Sequence, residues 1–268
     1  MKKFKLRAKG GEKLVDTVAR GAGSKKRAKR LIDEGLVSVN YRKELSYRRP
    51  MKGGEVVIFP LPEKLFKRPE VELLAQKGKV WVFNKPPFIT SNEGKGNLEE
   101  LIRKEFNPKL KVAHRLDKQT SGAILAVEDG KTFEWLKETF KRREVEKEYL
   151  ALVKGELQNK RVIKTPLNGR EAITVVEPVE KFKGATLIRA EIETGRKHQI
   201  RRHLAQIGHP IVGEFEYYGG GWKEELLYAP RILLHAKRVA LRTPEGEKLE
   251  VEAELPEDFR EFLKGLRR

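Results

Sequence analysis

Residues His114 to Gly122 read HRLDKQTSG, which sets one carboxylate, Asp117, between Arg115 and Lys118 and follows it with small or hydroxylated side chains. A carboxylate in that company has two uses. It can close a turn and be satisfied by Thr120 and Ser121, or it can stay ionised in a site for an anion and act as nucleophile or as a stabiliser of positive charge. Two further segments carry candidates. EKEYLALVKGE places Tyr149 in an alternating strand, a position that suits a core aromatic as well as one packing on a substrate ring. TGRKHQIRRHLAQIGHPIVGE clusters Arg196, His198, Arg201 and Arg202 on and beside a helix. His114 and His198 can orient phosphate or serve as hydrogen-bonded structural groups.

Composition narrows the chemistry. The 268 residues contain no cysteine, which removes disulfides, thiol nucleophiles and thiolate metal sites together. His198 and His203 stand five apart and no HExxH pair exists, so a histidine metal site on one helix face is not indicated. Charged residues make up 36% and the formal net charge is +19, which points to a polyanionic partner. The start, MKKFKLRAKGG, is charged like a signal peptide but is followed by no apolar segment, and no run approaches the roughly 18 apolar residues of a spanning helix. A cytoplasmic protein with no membrane association is expected. Abundant Lys and Glu with few Met and no Cys suit a heat-adapted organism.

The charge is concentrated. Residues 1–62 hold 17 Lys plus Arg against 6 Asp plus Glu, a net of +11 that leaves +8 for the remainder. Leu14, Val15 and Val18 form a short helical stripe, and GAGSKKRAKRLIDEG predicts a second helix with Ser24 as N-cap and Gly35 as stop. Ala28, Leu31 and Ile32 share one face of it and leave Lys25, Lys26, Lys29 and Arg30 pointing outward, where their mutual repulsion favours an external anion. LVSVN and EVVIF predict strands. PLPEKLFKRPE, with three prolines, predicts an extended linker. Beyond it, VWVFNKP, GAILAVED, YLALVKG and ATLIRAEIE predict strands, interleaved with amphipathic helices near 97–106, 130–142 and 197–207. Several strands between Val145 and Glu193 are separated by turns alone. The expected fold class is therefore α+β, with a mixed, mostly antiparallel sheet rather than a doubly wound parallel one.

The order VAHRLDKQTSGAILAV, EKEYLALVKGE, TGRKHQIRRHLAQIGHPIVGE resembles the RNA pseudouridine synthases of the branch acting on large-subunit ribosomal RNA or structured RNAs such as transfer RNA. The resemblance extends from NKPPFITS to RILLHAKRVAL, across residues 80–245. It implies a catalytic domain with a central cleft over 73–268 and needs neither cofactor nor metal. It also implies that Asp117 is the essential carboxylate, acting at ribose C1′ or assisting glycosidic cleavage. Tyr149 would pack against the target uracil and is a candidate acceptor of the carbon 5 proton, and Arg201 would pair with Asp117. Phe88 departs from the family, standing where glycine is common after the KP pair, and Lys197, Arg202 and Gln206 vary within the third segment. Residues 1–62 resemble the small α/β-type RNA-binding module of small-subunit ribosomal protein four, through the basic helix, LIDEGLVSVNYR and MKGGEVVIF. Residues 63–72 would link the two parts of a monomer.

The chemistry asks for these residues on its own terms. Turning uridine into pseudouridine breaks the C1′–N1 bond, rotates the uracil and joins C1′ to carbon 5. Positive charge grows at C1′ as the base leaves, so an ionised carboxylate there can attack, stabilise the cation or remove a neighbouring proton. Arg115 and Arg201 are the candidates to keep Asp117 charged. On a helical wheel with Ile200 as origin, Leu204 and Ile207 lie within about 40°, Arg201 about 100° and Arg202 about 200° away. Arg201 thus borders the buried face, while Arg202 faces solvent or phosphate. The stacked target base must be flipped into the cleft, which phosphate contacts from Arg115, His114, Arg196, His198 and Arg202 would support. A non-catalytic RNA-binding or ribosome-assembly factor on the same fold is the alternative. A glycoside hydrolase would need two carboxylates about the scissile bond, whereas the neighbours of Asp117 are basic.

Overall fold

The computed structural model describes residues 2–67, 69–218 and 228–267. The N-terminal unit comprises β1 (Lys2–Arg7), α1 (Leu14–Ala22), α2 (Lys25–Asp33), β2 (Ser38–Val39), β3 (Arg42–Lys43) and β4 (Val56–Leu61). Its four strands lie in the order β1-β4-β2-β3, all antiparallel. Ser24 accepts the N–H of Arg27 at 3.2 Å and starts α2, and Gly35 turns the chain away at φ 68°, a conformation open to glycine. Ala28, Leu31 and Ile32 are fully buried, while Lys25, Lys26, Lys29 and Arg30 are exposed.

The linker differs from the extended expectation. Pro60 and Leu61 belong to β4, Glu63–Leu65 form a 3₁₀ turn and Leu65 is fully buried. Proline is tolerated there because β2 pairs with β4 only as far as Ile58, so beyond it the absent N–H is not needed on that side.

The second sheet has ten strands among the described residues. They are β5 (Glu72–Lys77), β6 (Val80–Lys85), β7 (Lys111–Val112), β8 (Ser121–Val127), β9 (Glu146–Lys154), β10 (Arg161–Ile163), β11 (Thr174–Phe182), β12 (Ala185–Ile192), β13 (Leu234–Arg242) and β14 (Lys248–Glu252). The spine runs β10-β11-β12-β9-β13-β8-β6-β5, with β14 on β13 and β7 on β8. Among these described pairs only β8 with β13 is parallel. Helices α3 (Leu98–Glu105), α4 (Gly130–Lys141), α5 (Gln199–Gln206) and α6 (Glu257–Leu266) complete the α+β arrangement. No described helix is long and apolar enough to cross a membrane.

Central strand β8 is buried at every position, as its apolar run demands. Its first residues set the site. A Cβ on Gly122 would lie 2.2 Å from the Ala236 carbonyl oxygen, so only glycine lets β13 pass this close to the end of the Asp117 loop.

The two sheets are joined by specific contacts. Ile58 of β4 belongs to the same buried cluster as Phe259 and Phe262 of α6. Phe88, from the loop after β6, is 4% exposed and packs into the N-terminal core. Its φ of 71° is the left-handed conformation that a glycine adopts without strain, which accounts for the glycine that the resemblance leads one to expect there. Strain there costs about 1–2 kcal/mol, and burying the ring offsets it with about 1.5–3 kcal/mol.

Candidate active site

A cleft of about 1280 Å³ opens between the sheet and the N-terminal unit, and Asp117, Tyr149 and Arg201 all line it. Asp117 precedes β8 in a turn closed by the Thr120 N–H donating to its carbonyl at 3.0 Å. Three buried groups hold this turn. Lys85 Nζ donates to the carbonyls of Pro86, Ile89 and Lys118 at 3.0, 2.9 and 3.4 Å. Burial and the Arg231 charge push its pKa down to about 7, with Asp117 acting against them. Three carbonyl acceptors match the three donors of an ammonium, which argues for the protonated form. Arg231, fully buried, donates to Gln119 O at 3.0 Å, Ser121 Oγ at 3.2 Å and Asp258 at 2.8 Å. Phe88 donates its N–H to Lys118 O at 2.7 Å.

The turn does not satisfy its own carboxylate. Ser121 Oγ bonds His235 and Arg231, and Thr120 Oγ1 is buried without a hydrogen-bond partner among the described residues. Asp117 instead takes Arg201 Nη1 on Oδ2 at 3.3 Å, with His198 Nε2 3.6 Å from Oδ1. Oδ1 therefore has no hydrogen bond of ordinary length among the described residues, and the side chain keeps 27% of its surface exposed to the cleft.

Arg201 is shared rather than dedicated to Asp117. Its Nε and Nη2 donate to the fully buried Glu214 at 2.7 and 3.2 Å, and Nη2 also donates to Glu216 at 2.9 Å. Burial works against its charge, but hydrogen bonding to Glu214 and the charges of Glu214, Asp117 and Glu216 raise its pKa above the ordinary range. The two glutamates fix the guanidinium plane, and the remaining nitrogen is presented to Asp117. Sequence reasoning missed both, together with Lys85 and Arg231. Charged residues inside apolar runs, as in PIVGEF and APRILL, are the signal that could have found them, because a buried charge requires a partner.

Tyr149 stands in β9 with Ala190 of β12 and Ala236 of β13 as its cross-strand partners. Gly122 is the next residue in that row. The ring is 7% exposed and packs in the main core cluster, and the residue also lines the cleft, so the cleft's aromatic wall is set rigidly by the sheet. Burial, then the Asp117 charge, push the phenol pKa well above its usual value, so Tyr149 carries its proton at neutral pH.

His198 begins α5 at φ 55°, with Nδ1 2.7 Å from Tyr217 Oη. Burial lowers its pKa against the pull of Asp117, which favours neutral imidazole. His114 accepts the Leu125 N–H on Nε2 at 3.0 Å, and burial pushes its pKa down to about 3. That nitrogen fastens the loop to β8 and is not offered to phosphate. Arg115 pairs with Glu93 at 2.6 Å on the rim, so Arg201, not Arg115, is the partner of Asp117. Arg196 bonds Glu171 O at 2.9 Å and Arg202 bonds Asn168 at 3.2 Å, both at exposed edges. Lys25, Lys26, Lys29 and Arg30 lie on α2, outside the cleft lining.

The arrangement offers a carboxylate with one open oxygen, a protonated aromatic beside small residues, and a fixed guanidinium. Comparison with known proteins places it. The RNA pseudouridylate synthase profile matches residues 79–206. The chain is 35% identical over 241 residues to an uncharacterized RNA pseudouridine synthase of Helicobacter pylori, spanning 84% of this chain and 91% of that protein. It is 30% identical over 278 residues to ribosomal large subunit pseudouridine synthase C of Yersinia pestis, spanning 89% and 86%. The fold matches human RNA pseudouridylate synthase domain containing 4, with a TM-score of 0.64 and 24% identity over 73% of this chain and 93% of that one. Sequence and fold agree that this chain belongs to the RNA pseudouridine synthase family.

Proposed function

We propose that the chain converts uridine to pseudouridine in large-subunit ribosomal RNA, with transfer RNA as the second substrate class, acting as a cytoplasmic monomer. The ribosomal reading is supported by relatives from Yersinia pestis and Haemophilus influenzae named for the ribosomal large subunit. The observation that carries the chemistry is Asp117, fixed by Arg201 on one oxygen and open to the cleft on the other.

Asp117 acts at C1′ as the C1′–N1 bond breaks, by attack, by stabilising the cation or by removing a neighbouring proton. Arg201 orients it through Oδ2. Tyr149 is the surface on which the uracil rests and turns. Its raised pKa supports packing over proton acceptance, since a phenol that takes the carbon 5 proton must release its own at the same time. Rim residues Arg115, Arg196 and Arg202, together with His198, steady the flipped strand, and His114 supports the loop from behind.

Residues 1–62 act as an RNA-binding module like that of small-subunit ribosomal protein four, with 63–72 as connector and 73–268 as the catalytic domain. Lys25, Lys26, Lys29 and Arg30 are its phosphate-facing set. The test is incubation with large-subunit ribosomal RNA and transfer RNA transcripts tritiated at carbon 5 of uridine. Release of tritium from the ribosomal transcript is expected. RNA binding without release from either would identify an assembly factor instead.

A further inference from the structure

One wall of the cleft does not come from the ten-stranded sheet. Asp33, Glu34, Gly35 and Lys43 of the N-terminal unit line it, facing the Asp117 loop. Gly35 makes room for Lys43: a Cβ there would lie 2.2 Å from Lys43 Cε and 2.4 Å from Nζ. The lysine side chain is thus laid against the end of α2 at the cleft.

This wall is held in register with the catalytic loop. Lys118 Nζ meets Glu34 at 2.6 Å, and Gln119 Nε2 donates to the Glu34 carbonyl at 3.0 Å, so the residues after Asp117 grip the exit of α2 directly. Lys118 is occupied by that contact. Lys43 Nζ, by contrast, makes no hydrogen bond or ion pair with any described residue. The charges that act on it are Glu214, Glu216 and Arg201, the group surrounding Asp117.

The local charge explains what such an ammonium would do. Asp117, Glu214 and Glu216 set three carboxylates against the guanidinium of Arg201 and the buried Lys85 ammonium that acts on Asp117, which leaves one excess negative charge at this centre in a protein of net charge +19. A flipped nucleotide brings its flanking phosphates toward that centre, and unbalanced carboxylates would repel them.

We propose that Lys43 is a phosphate ligand of the cleft, taking a non-bridging oxygen beside the flipped nucleotide, so that the N-terminal unit forms part of the substrate site itself. This rests on the reading of the cleft as the uridine site and adds a substrate contact from outside the catalytic domain. The competing role is a counter-ion for Glu214 and Glu216 alone.

The test compares full-length wild type, Lys43→Gln and Lys43→Arg for binding to an in vitro large-subunit ribosomal RNA transcript over a range of salt, alongside melting temperature. A phosphate ligand predicts several-fold weaker binding for Lys43→Gln and a loss of about 0.7–0.9 from the slope of log affinity against log salt, with Lys43→Arg restoring both. An unchanged affinity and slope overturns the proposal, whether or not the melting temperature falls. Binding is read independently of isomerisation, so wild-type protein that binds the transcript yet releases no tritium contradicts the ribosomal substrate, while the slope still decides Lys43.

Discussion

Arg201 holds Asp117 by one nitrogen, Nη1 at 3.3 Å, while its other two nitrogens are committed to Glu214 and Glu216. The pairing of Asp117 with Arg201 is therefore the exposed end of a buried network. Replacing Arg201 by Met takes the charged donor from the fully buried Glu214, whose Oε1 still accepts the Glu216 and Tyr217 N–H groups, as well as from Asp117. A buried pair broken on one side costs about 3–5 kcal/mol, and that loss is expected here in urea denaturation, together with loss of turnover. Arg202→Met should leave the urea midpoint near wild type and weaken RNA binding. The reverse pattern would make Arg202 the structural arginine.

Phe88 ties the two sheets together. Phe88→Gly relieves the strain at φ 71° but removes a ring buried in the N-terminal core. Large-to-small changes of this kind cost about 3–5 kcal/mol, so the net expectation is destabilisation by about 1–4 kcal/mol. Hydrogen exchange over residues 14–39 should speed up, with β8 and β9 less affected. Unchanged exchange in the N-terminal unit would show that Phe88 does not fasten it.

What could be read from the sequence was local or periodic. Ser24 and Gly35 bound α2 as expected because capping is decided within a few residues. Arg201 is 6% exposed and Arg202 half-buried, in keeping with the 100° step of a helix. Long-range pairing was not legible. Nothing near Phe88 says that its partner core lies in residues 1–62, and nothing near Arg201 says that the chain brings Glu214 back across it. Strand β1, with its alternating Lys, Phe and Leu, went unread because the charge of the segment hid its period of two. Helix α6 was missed as well, although its Phe259, Phe262 and Leu263 repeat on one face.

His235 makes stability depend on acid. It is fully buried between Ser121 Oγ at 2.9 Å and Ala253 O at 3.1 Å, and burial is the main cause that pushes it down to about 4. An unfolded histidine titrates near ~6.5, so the unfolded chain binds the proton first. The contribution is complete above that value and is lost as pH falls toward 4, reaching roughly 3 kcal/mol. Urea midpoints between about pH 8 and about pH 4.5 should fall, and His235→Gln should flatten part of that fall. Parallel profiles for the two proteins would contradict the assignment.

The outward face of α2 carries the docking role proposed for residues 1–62. Neutralising Lys25, Lys26, Lys29 and Arg30 together should weaken binding to long structured RNA. Each phosphate contact removed takes about 0.7–0.9 from the salt slope. An unchanged slope would remove this face from RNA binding.

Asp117 is proposed to perform the chemistry and not merely to hold a turn. Asp117→Asn keeps the shape of the side chain but abolishes its charge and nucleophilicity. The direct measurement is single-turnover tritium release from a large-subunit ribosomal RNA transcript at saturating enzyme, beside the affinity of the same variant. Binding within a few-fold of wild type, with release below about a hundredth of the wild-type rate, is the expected result, since a lost nucleophile removes several kcal/mol of transition-state stabilisation. Release near the wild-type rate, with deamidation of the introduced amide back to aspartate excluded by mass spectrometry, would contradict it.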